Sequence, residues 1–384
     1  MKPLESIFKT FKTPFYWYDM QLLDDTLKLV KSESGKYGFQ IHYAVKANAN
    51  LPILKKIREY DLGADCVSGN EVLRAIEAGF SPKDIVFAGV GKSDEEINIG
   101  LDNTIFSFNV ESIAEIEVIN ELAQKKNKIA KIALRLNPNV NANTHKYITT
   151  GLDENKFGIN LNDLDSVLTT LDRSKNIELA GIHFHIGSQI TDLSTYKDLC
   201  HKVNEIQDWF ESKNKPLQHI NVGGGLGINY KSPNEELIPD FKKYFKIFAD
   251  NLKLRPNQQV HFELGRSIVG QCGILITKVL YIKDGLKTNF AIVDAGITEL
   301  IRPALYQAKH KIENISSKLP EKTYDVVGPI CESADFFDKG IKLPETKRGD
   351  LLVIKSTGAY GQVMTSQYNL RRIVKAYYSN KQQS

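Results

Sequence analysis

Strand-like and helix-like stretches alternate along the chain from about residue 22 to residue 270. In the helix-like stretches apolar residues recur every three or four positions, which is typical of a helix with one buried face. The strand-like runs are residues 41–46, 63–68, 84–89, 104–108, 131–137, 179–187, 219–224 and 260–265, and the clearest helical stretches are 22–30, 70–78, 112–124 and 193–210. Eight strand–helix units predict a (β/α)₈ barrel, and periodicity alone leaves a doubly wound open sheet as the alternative.

The pattern changes after about residue 272, where strand-like runs follow one another with turns and few helices. These runs are residues 273–283, 289–296, 323–330, 350–358 and 371–378. They predict an all-β second domain. The N-terminal run 14–20 also reads as a strand, and we expect it to pair with the C-terminal sheet. The predicted fold is therefore an α/β barrel over residues 22–271 with a β-domain made of residues 1–21 and 272–384.

Composition excludes several classes of protein. The 384 residues are 42% hydrophobic and 25% charged, with a net charge of +4 and no long charged run. This gives no support for a nucleic-acid or membrane-surface partner, and no apolar stretch is long enough to cross a bilayer. The start of the chain lacks the features of a signal peptide. Four widely spaced cysteines without a CxxC pair argue against disulfides or structural zinc, so we expect a cytoplasmic protein.

In a (β/α)₈ barrel the active site lies at the carboxyl ends of the strands. The predicted strands end on polar residues and glycines that suit an anionic, ring-bearing cofactor. They are Lys46, Asp65, His183, His185, Ser188, Gly223, Gly224, Gly225, Glu263, Gly265 and Arg266.

Lys46 ends the first strand and precedes the loop of residues 47–50. One interpretation is a salt bridge at the barrel rim. The other is a Schiff-base lysine, whose amine stays partly neutral because it is desolvated.

Three other positions carry similar alternatives. The glycines at 223–225 form either a tight turn or a cradle whose N–H groups bind phosphate. His183 and His185, two apart on a strand, face the same way, as core histidines, metal ligands or a ring stacked on a cofactor. Glu263 forms either a structural salt bridge or the carboxylate that keeps a pyridine nitrogen protonated.

Eight short motifs occur in order across nearly the whole chain. They are YAVKAN (43–48), GADCVSGNE (63–71), HFHIGSQ (183–189), GGGLG (223–227), ELGR (263–266), RPALY (302–306), CES (331–333) and GAYG (358–361). Together they resemble the group IV, alanine-racemase-like decarboxylases that depend on pyridoxal 5'-phosphate (PLP). The resemblance implies a PLP barrel fused to a β-domain, and a homodimer whose subunits share their active sites.

The resemblance also implies roles for individual residues. Lys46 would anchor PLP covalently, His185 would stack on its ring and Glu263 would pair with its nitrogen. Cys331 would donate the proton, supplied from the other subunit. The other implied cofactor contacts are Asp65, Ser188, Gly223, Gly224, Gly225, Gly265, Arg266 and Tyr360, and the implied substrate contacts are Arg266, Arg302, Tyr306, Glu332, Ser333 and Tyr360. The alternative for Cys331 is a buried small apolar residue.

The implied reaction is decarboxylation of meso-2,6-diaminopimelate to L-lysine, without a metal ion. A distal carboxylate needs a fixed cationic fork, which Arg266 and Arg302 would supply. Alternatives on the same scaffold are decarboxylation of D-ornithine, D-lysine or carboxynorspermidine, or a PLP-binding protein without catalysis.

Overall fold

The computed structural model describes residues 4–140 and 156–379. The chain divides into two compact units. The barrel unit consists of Leu27–Gly227 and Asp240–Gly265, and the β-unit consists of Met1–Thr26, Ile228–Pro239 and Arg266–Ser384. The segment Ile228–Pro239 thus belongs to the β-unit although it lies between barrel elements in sequence. The domain bounds at residues 22 and 271 stay predictions.

The strands are numbered in chain order. They are β1 Phe15–Tyr18, β2 Gln40–Ala44, β3 Gly63–Cys66, β4 Ile85–Phe87, β5 Ser107–Val110, β6 Ala130–Arg135, β7 Ile177–His183, β8 His219–Asn221, β9 Gln259–Leu264, β10 Gly273–Asp284, β11 Asn289–Val293, β12 Ile312–Asn314, β13 Glu321–Val327, β14 Phe336–Pro344, β15 Leu351–Ile354 and β16 Lys375–Tyr378.

The helices are numbered in the same way. They are α1 Leu4–Phe8, α2 Met20–Gly35, α3 Leu51–Arg58, α4 Gly69–Glu77, α5 Asp94–Asn103, α6 Ile113–Lys125, α7 Leu164–Arg173, α8 Ser194–Ser212, α9 Phe241–Asn251, α10 Arg266–Val269 and α11 Arg302–Tyr306. Short 3₁₀ turns cover Val45–Ala47, Pro82–Asp84, Leu161–Asp163, Gln362–Met364 and Tyr368–Leu370.

Strands β2 to β9 form a closed parallel barrel in which each strand pairs with the next and β9 pairs with β2. The predicted barrel is confirmed, and the open-sheet alternative is wrong. The four predicted helical stretches correspond to α2, α4, α6 and α8. Barrel strands are covered on both faces, which explains why they read as continuous apolar runs in the sequence.

Several predicted strands run past the ladder at its carboxyl end. The predicted run 41–46 ends as a strand at Ala44, and the run 179–187 ends at His183. The chain stays apolar beyond these points because Val45, Phe184 and Ile186 remain buried after the strand pairing has stopped. Hydrophobicity therefore marks burial here and not strand length. It overstates how far each strand reaches toward the site.

The fourth predicted strand, 104–108, begins too early, because β5 begins at Ser107. Thr104 ends α5 in the left-handed conformation, with φ of 53°. Phe106 then packs its ring against His219 and His261, at centroid distances of 5.2 and 5.3 Å. The apolar residues before the strand thus fill the barrel interior.

The β-unit carries an eight-stranded sheet. Its path is β12-β15-β10-β11-β13-β14, with β1 joined to β10 and β16. The expected pairing of the N-terminal strand with the C-terminal sheet is confirmed, since Phe15 is opposite Ile276 of β10 and Lys375 of β16. A core of aromatic and aliphatic side chains, including Phe8 and Trp17, packs on one face of this sheet. Strands β12 and β14 were not predicted, because β12 has three residues and β14 is largely half-exposed.

Gly181 tests the packing of the barrel. It lies opposite His219 in the β7–β8 ladder, and a Cβ at Gly181 would collide with the His219 carbonyl oxygen. Gly181→Ala should therefore lower the free energy of unfolding by about 1–3 kcal/mol, the usual cost of overpacking a core. Urea unfolding followed by circular dichroism measures this change. The matched control is Gly35→Ala, where a Cβ meets nothing within 4 Å; equal stability of both variants would contradict the packing argument.

Candidate active site

Lys46 lies in the 3₁₀ turn Val45–Ala47 that follows β2, and its side chain is 35% exposed. The turn packs closely against the end of β9. A Cβ at Gly265 would lie 2.9 Å from the Ala47 Cβ and 3.1 Å from the Ala44 Cβ, so a glycine is needed at that position. The sequence thus places a half-buried amine at the carboxyl end of the barrel, in a tight turn that follows β2 and packs against the end of β9.

Asp65 of β3 forms an ion pair with Lys46. The Lys46 Nζ lies 3.3 Å from Oδ2 of Asp65, whose side chain is fully buried. Burial raises the pKa of Asp65 to about 7, and the negative charge of Glu263 adds to this effect while Lys46 opposes it. The Oδ1 atom has no hydrogen-bond partner among the residues that the structure describes. The rim salt bridge considered for Lys46 is therefore present, but its carboxylate is only partly satisfied.

Glu263 of β9 is buried inside the barrel and receives hydrogen bonds from three other strands. Its Oε1 accepts from the side-chain amides of Asn109 on β5, at 3.0 Å, and Asn221 on β8, at 2.8 Å. Its Oε2 lies 3.0 Å from Nε2 of His183 on β7. A buried carboxylate is costly unless hydrogen-bonded, and this one is held from three sides.

These contacts decide the charge of Glu263. Burial acts to raise the pKa of its carboxyl, but the charge and hydrogen bond of His183 and the charge of Lys46 outweigh burial and hold the pKa below its usual range. Glu263 therefore stays ionised. An ionised carboxylate is the group that keeps a neighbouring pyridine nitrogen protonated.

The two histidines do not lie on one strand, contrary to the prediction. His183 is the last residue of β7, and His185 lies beyond the strand. His183 bonds to Glu263, whereas Nδ1 of His185 accepts a hydrogen bond of 3.4 Å from the Gly224 N–H. Burial, followed by the charges of Lys46 and Arg135, lowers the pKa of His185 well below its usual value, so its imidazole is neutral.

The glycine turn after β8 makes very close backbone contacts. Side chains at Gly223 and Gly224 would collide with the carbonyl oxygens of Phe184 and Glu263, and Gly223 and Gly225 have φ of 70° and 101°. The Gly223 N–H donates to Oδ1 of Asn221, and the Gly224 N–H donates to His185. Two of the three amides that were expected to face a phosphate are thus engaged inside the barrel unit. Their role in binding phosphate stays a prediction.

The β-unit brings two predicted arginines together. Arg266, the first residue of α10, donates from Nη1 to the Tyr230 hydroxyl at 2.7 Å and lies 4.7 Å from the Tyr360 ring. Arg302, the first residue of α11, lies 5.4 Å from the Tyr230 ring and 5.8 Å from the Tyr306 ring. Both arginines are buried. The predicted residues Arg266, Arg302, Tyr306 and Tyr360 are therefore gathered in one aromatic-lined cluster.

The CES motif lies on the surface of the β-unit. Cys331, Glu332 and Ser333 are all exposed, so the interpretation of Cys331 as a buried small residue is wrong. Asn369 accepts a hydrogen bond from the Cys331 N–H at 3.2 Å, and Tyr368 donates to Oε1 of Glu332 at 2.7 Å. The thiol and the carboxylate are thus presented outward from a fixed turn.

The position of Ser188, the metal-ligating side chains and the length of the helices bear on the remaining predictions. Ser188 lies in the half-buried connection between β7 and α8. Within residues 4–140 and 156–379, no group of three His, Cys, Asp or Glu side chains is arranged to hold a metal ion. No helix in the same ranges is long and apolar enough to cross a membrane.

Sequence reasoning missed Asn109, Asn221, Tyr230 and His310 as parts of these clusters. The two asparagines left a signal, since each is a buried amide within a barrel strand. A buried amide in such a strand requires a polar partner. Tyr230 and His310 left none, because their neighbours come from distant parts of the chain.

Comparison with known proteins identifies the group to which this site belongs. Residues 23–270 match the family described as "Pyridoxal-dependent decarboxylase, pyridoxal binding domain". The chain belongs to the pyridoxal-dependent decarboxylase family. It is 58% identical to the diaminopimelate decarboxylase of Bacteroides thetaiotaomicron over 97% of both chains, and 41% identical to that of Aquifex aeolicus over 96% of this chain and 87% of the relative.

A solved structure of the same family superposes on nearly the whole chain. The diaminopimelate decarboxylase of Helicobacter pylori, crystallised with L-lysine, matches with a TM-score of 0.93 and 41% identity, covering 99% of this chain and 95% of the other. The resemblance read from the eight motifs is therefore confirmed, as is the combination of a barrel with a β-sheet domain.

The barrel of this pyridoxal-dependent decarboxylase fits a ring-bearing cofactor. Asp65 Oδ1, Asn109 Oδ1 and His183 Nδ1 are buried polar atoms without a hydrogen-bond partner among the described residues. Such atoms are expected where a polar ligand completes a site. The half-buried amine of Lys46 and the ionised carboxylate of Glu263 are the two groups that a pyridoxal ring requires.

Asp65 makes the stability of the cofactor-free protein depend on pH. Its folded pKa of about 7 lies above the ordinary value of 3.8, so the folded protein binds this proton more tightly than the unfolded chain. The stability that Asp65 contributes is therefore complete below about pH 4 and is lost as the pH rises through about 7. Relative to Asp65→Asn, the wild type should lose stability over this window and then level off.

Thermal unfolding of the cofactor-free proteins between pH 4.5 and 8.5 measures the difference. Asp61→Asn, at an exposed position, controls for the loss of one surface charge. Parallel curves for the wild type and Asp65→Asn would show that Asp65 is ionised throughout.

Proposed function

We propose that the chain decarboxylates meso-2,6-diaminopimelate to L-lysine and CO₂, using PLP. The observation that carries the choice of substrate is Arg302. It is buried, and among the described residues its side chain donates to His310 and forms no ion pair with a carboxylate. A buried guanidinium without a counter-charge is strongly unfavourable, and a ligand carboxylate would supply that charge. Diaminopimelate has a second carboxylate at the end remote from the reacting carbon.

The residues proposed to hold PLP belong mainly to the barrel unit. Lys46 would bind it covalently, Glu263 would pair with its ring nitrogen and His185 would lie against its ring. The neutral state of His185 favours such a stacked role, because an imidazolium would oppose the positive charge on the ring nitrogen. Asp65 and Gly265 would support Lys46. The phosphate contacts are proposed to come from Ser188, Gly223, Gly224, Gly225, Arg266 and Tyr360.

The cofactor and the protein would contribute different parts of the chemistry. Bound PLP supplies an electron sink for the pair left when the C–CO₂ bond breaks. The protein's part is to keep Glu263 ionised, through Asn109, Asn221 and His183. Lys46 would hold the cofactor, and Cys331 would donate the proton that replaces CO₂.

A homodimer is proposed because the candidate acid is on the surface. Cys331, Glu332 and Ser333 are exposed. The same unit also exposes two large apolar side chains that follow Tyr368 closely in sequence, Leu370 at 97% and Ile373 at 65%. Exposed apolar residues beside functional polar groups are typical of a subunit interface. Cys331 would then serve the partner's site, Glu332 would bind the distal ammonium, and Tyr306 and Ser333 would complete the substrate contacts. We place the enzyme in the reducing cytoplasm, where its four free thiols persist.

The reaction is tested by measuring CO₂ release from meso-diaminopimelate, D-lysine, D-ornithine, L-ornithine and carboxynorspermidine in parallel. We expect release from diaminopimelate alone at an appreciable rate, with L-lysine as product. Lys46→Ala should lose both the visible absorbance of bound cofactor and all activity. Lys56→Ala is the matched control, since Lys56 lies on α3 and pairs with Glu59 on the surface. A coloured, active Lys46→Ala enzyme would overturn the cofactor assignment.

Substitution of Arg302 tests whether the substrate carries a distal carboxylate. Arg302→Ala should lower kcat/KM for diaminopimelate by ~30-fold or more, because truncating one partner of a buried charge pair costs about 2–5 kcal/mol. The visible absorbance of the cofactor should remain. Arg348→Ala, which removes an exposed arginine of the same unit, should leave kcat/KM unchanged. An unaltered value for Arg302→Ala would mean that the substrate carries no carboxylate at this position.

A further inference from the structure

Arg302 is held by a residue outside every motif of the sequence, His310. The Arg302 Nε–H donates to Nε2 of His310 at 3.4 Å, and the His310 Nδ1 lies 2.9 Å from the Lys355 carbonyl oxygen. Both side chains are buried, with exposures of 5% and 4%. One imidazole thus bridges the guanidinium and the backbone next to β15.

These two contacts fix the protonation of the imidazole. A carbonyl oxygen can only accept, so the proton must be on Nδ1. Nε2 is then left as an acceptor, which is the only role that suits the Arg302 N–H. Burial, followed by the positive charge of Arg302, lowers the pKa of His310 to about 3. The imidazole is therefore neutral near pH 7 and keeps its acceptor.

The His310 contact also determines which edge of Arg302 faces a ligand. A guanidinium can bind a carboxylate through Nε and one Nη, or through its two Nη groups. Among the described residues, His310 is the hydrogen-bond partner of Arg302, and it takes Nε. The edge formed by Nη1 and Nη2 is thus the one left for a carboxylate.

Tyr230 performs a related role for the pair of arginines. It accepts the hydrogen bond from Arg266, its ring lies 5.4 Å from the Arg302 guanidinium, and His310 packs edge-to-face on it at 4.9 Å. Arg266 and Arg302 repel each other; burial lowers the pKa of Arg302 and the charge of Arg266 lowers it further. The electron-rich ring and the phenol oxygen oppose this repulsion.

From these contacts we propose that His310 and Tyr230 are positioning residues, which hold Arg302 and Arg266 as a fixed pair that selects a ligand carboxylate. The inference deepens the proposed function and depends on it, since it assigns to His310 the orientation of the group that recognises the distal carboxylate.

Two substitutions of His310 separate this role from a structural one. The amide of Gln reaches the position of Nε2, so His310→Gln keeps an acceptor for Arg302 and loses the donor to Lys355. The shorter His310→Asn keeps a donor to the Lys355 carbonyl and cannot reach Arg302. The readout is the ratio of the dissociation constants of L-lysinamide and L-lysine on the full chain loaded with PLP, measured by calorimetry. L-lysine carries the carboxylate that would be distal in the substrate, and its amide does not.

We expect the wild type to prefer L-lysine, His310→Gln to keep this preference within about threefold, and His310→Asn to lose it by ~tenfold or more. Tyr230→Phe, which removes only the hydroxyl, should weaken the preference less. If His310→Asn keeps the preference and His310→Gln loses it, His310 merely anchors the Lys355 backbone and the inference is overturned. A wild type that releases CO₂ from diaminopimelate and has no preference for L-lysine overturns the inference alone. A wild type with neither property overturns the proposed function as well.

Discussion

The buried carboxylate of Glu263 connects the closure of the barrel to the chemistry of the site. Its three partners, Asn109, His183 and Asn221, come from β5, β7 and β8, while Glu263 itself comes from β9. Such a set of donors converges on one carboxylate only if the strands surround it. Removing a charge from water without these bonds would cost several kcal/mol. The closed barrel is therefore a condition for keeping this carboxylate ionised, and the carboxylate in turn specifies which side chains can fill the barrel interior.

The barrel contains a second buried carboxylate that behaves in the opposite way. Burial and the charge of Glu263 raise the pKa of Asp65, and the charge of Lys46 opposes them without outweighing them. Glu263 has three hydrogen-bond donors, and its pKa is lowered. The pKa values of two carboxylates in one barrel are thus shifted in opposite directions by their surroundings. This separation of pKa values is a general property of sites that carry out proton chemistry. It favours a site prepared to protonate one group on a ligand without protonating the carboxylate that supports it.

The sequence predicted features that depend on local pattern and on strand direction. Apolar runs separated by helical stretches are enough to predict eight parallel strands, and the carboxyl ends of parallel strands must lie at one edge. Lys46 and Asp65 could thus be grouped before the structure was known. The extent of the strands could not be predicted, because Val45 and Phe184 are buried beyond the ladder. The two asparagine donors to Glu263 were missed because an isolated asparagine in a strand carries no information about which distant carboxylate it will meet.

The arginine cluster shows why partners drawn from distant segments are harder to infer. Arg266, Arg302 and His310 follow one another in the second part of the chain, but Tyr230 comes from the segment Ile228–Pro239, inserted between β8 and α9. Periodicity assigns that segment to the barrel, whereas its contacts place it in the β-unit. Two guanidiniums can be buried near each other only if other groups offset their repulsion. Tyr230 provides a hydrogen-bond acceptor and a ring, and His310 an acceptor fixed by the Lys355 carbonyl. The short excursion of the chain after β8 thus supplies one of the groups that offset the repulsion between the arginines. A carboxylate between them would offset that repulsion further.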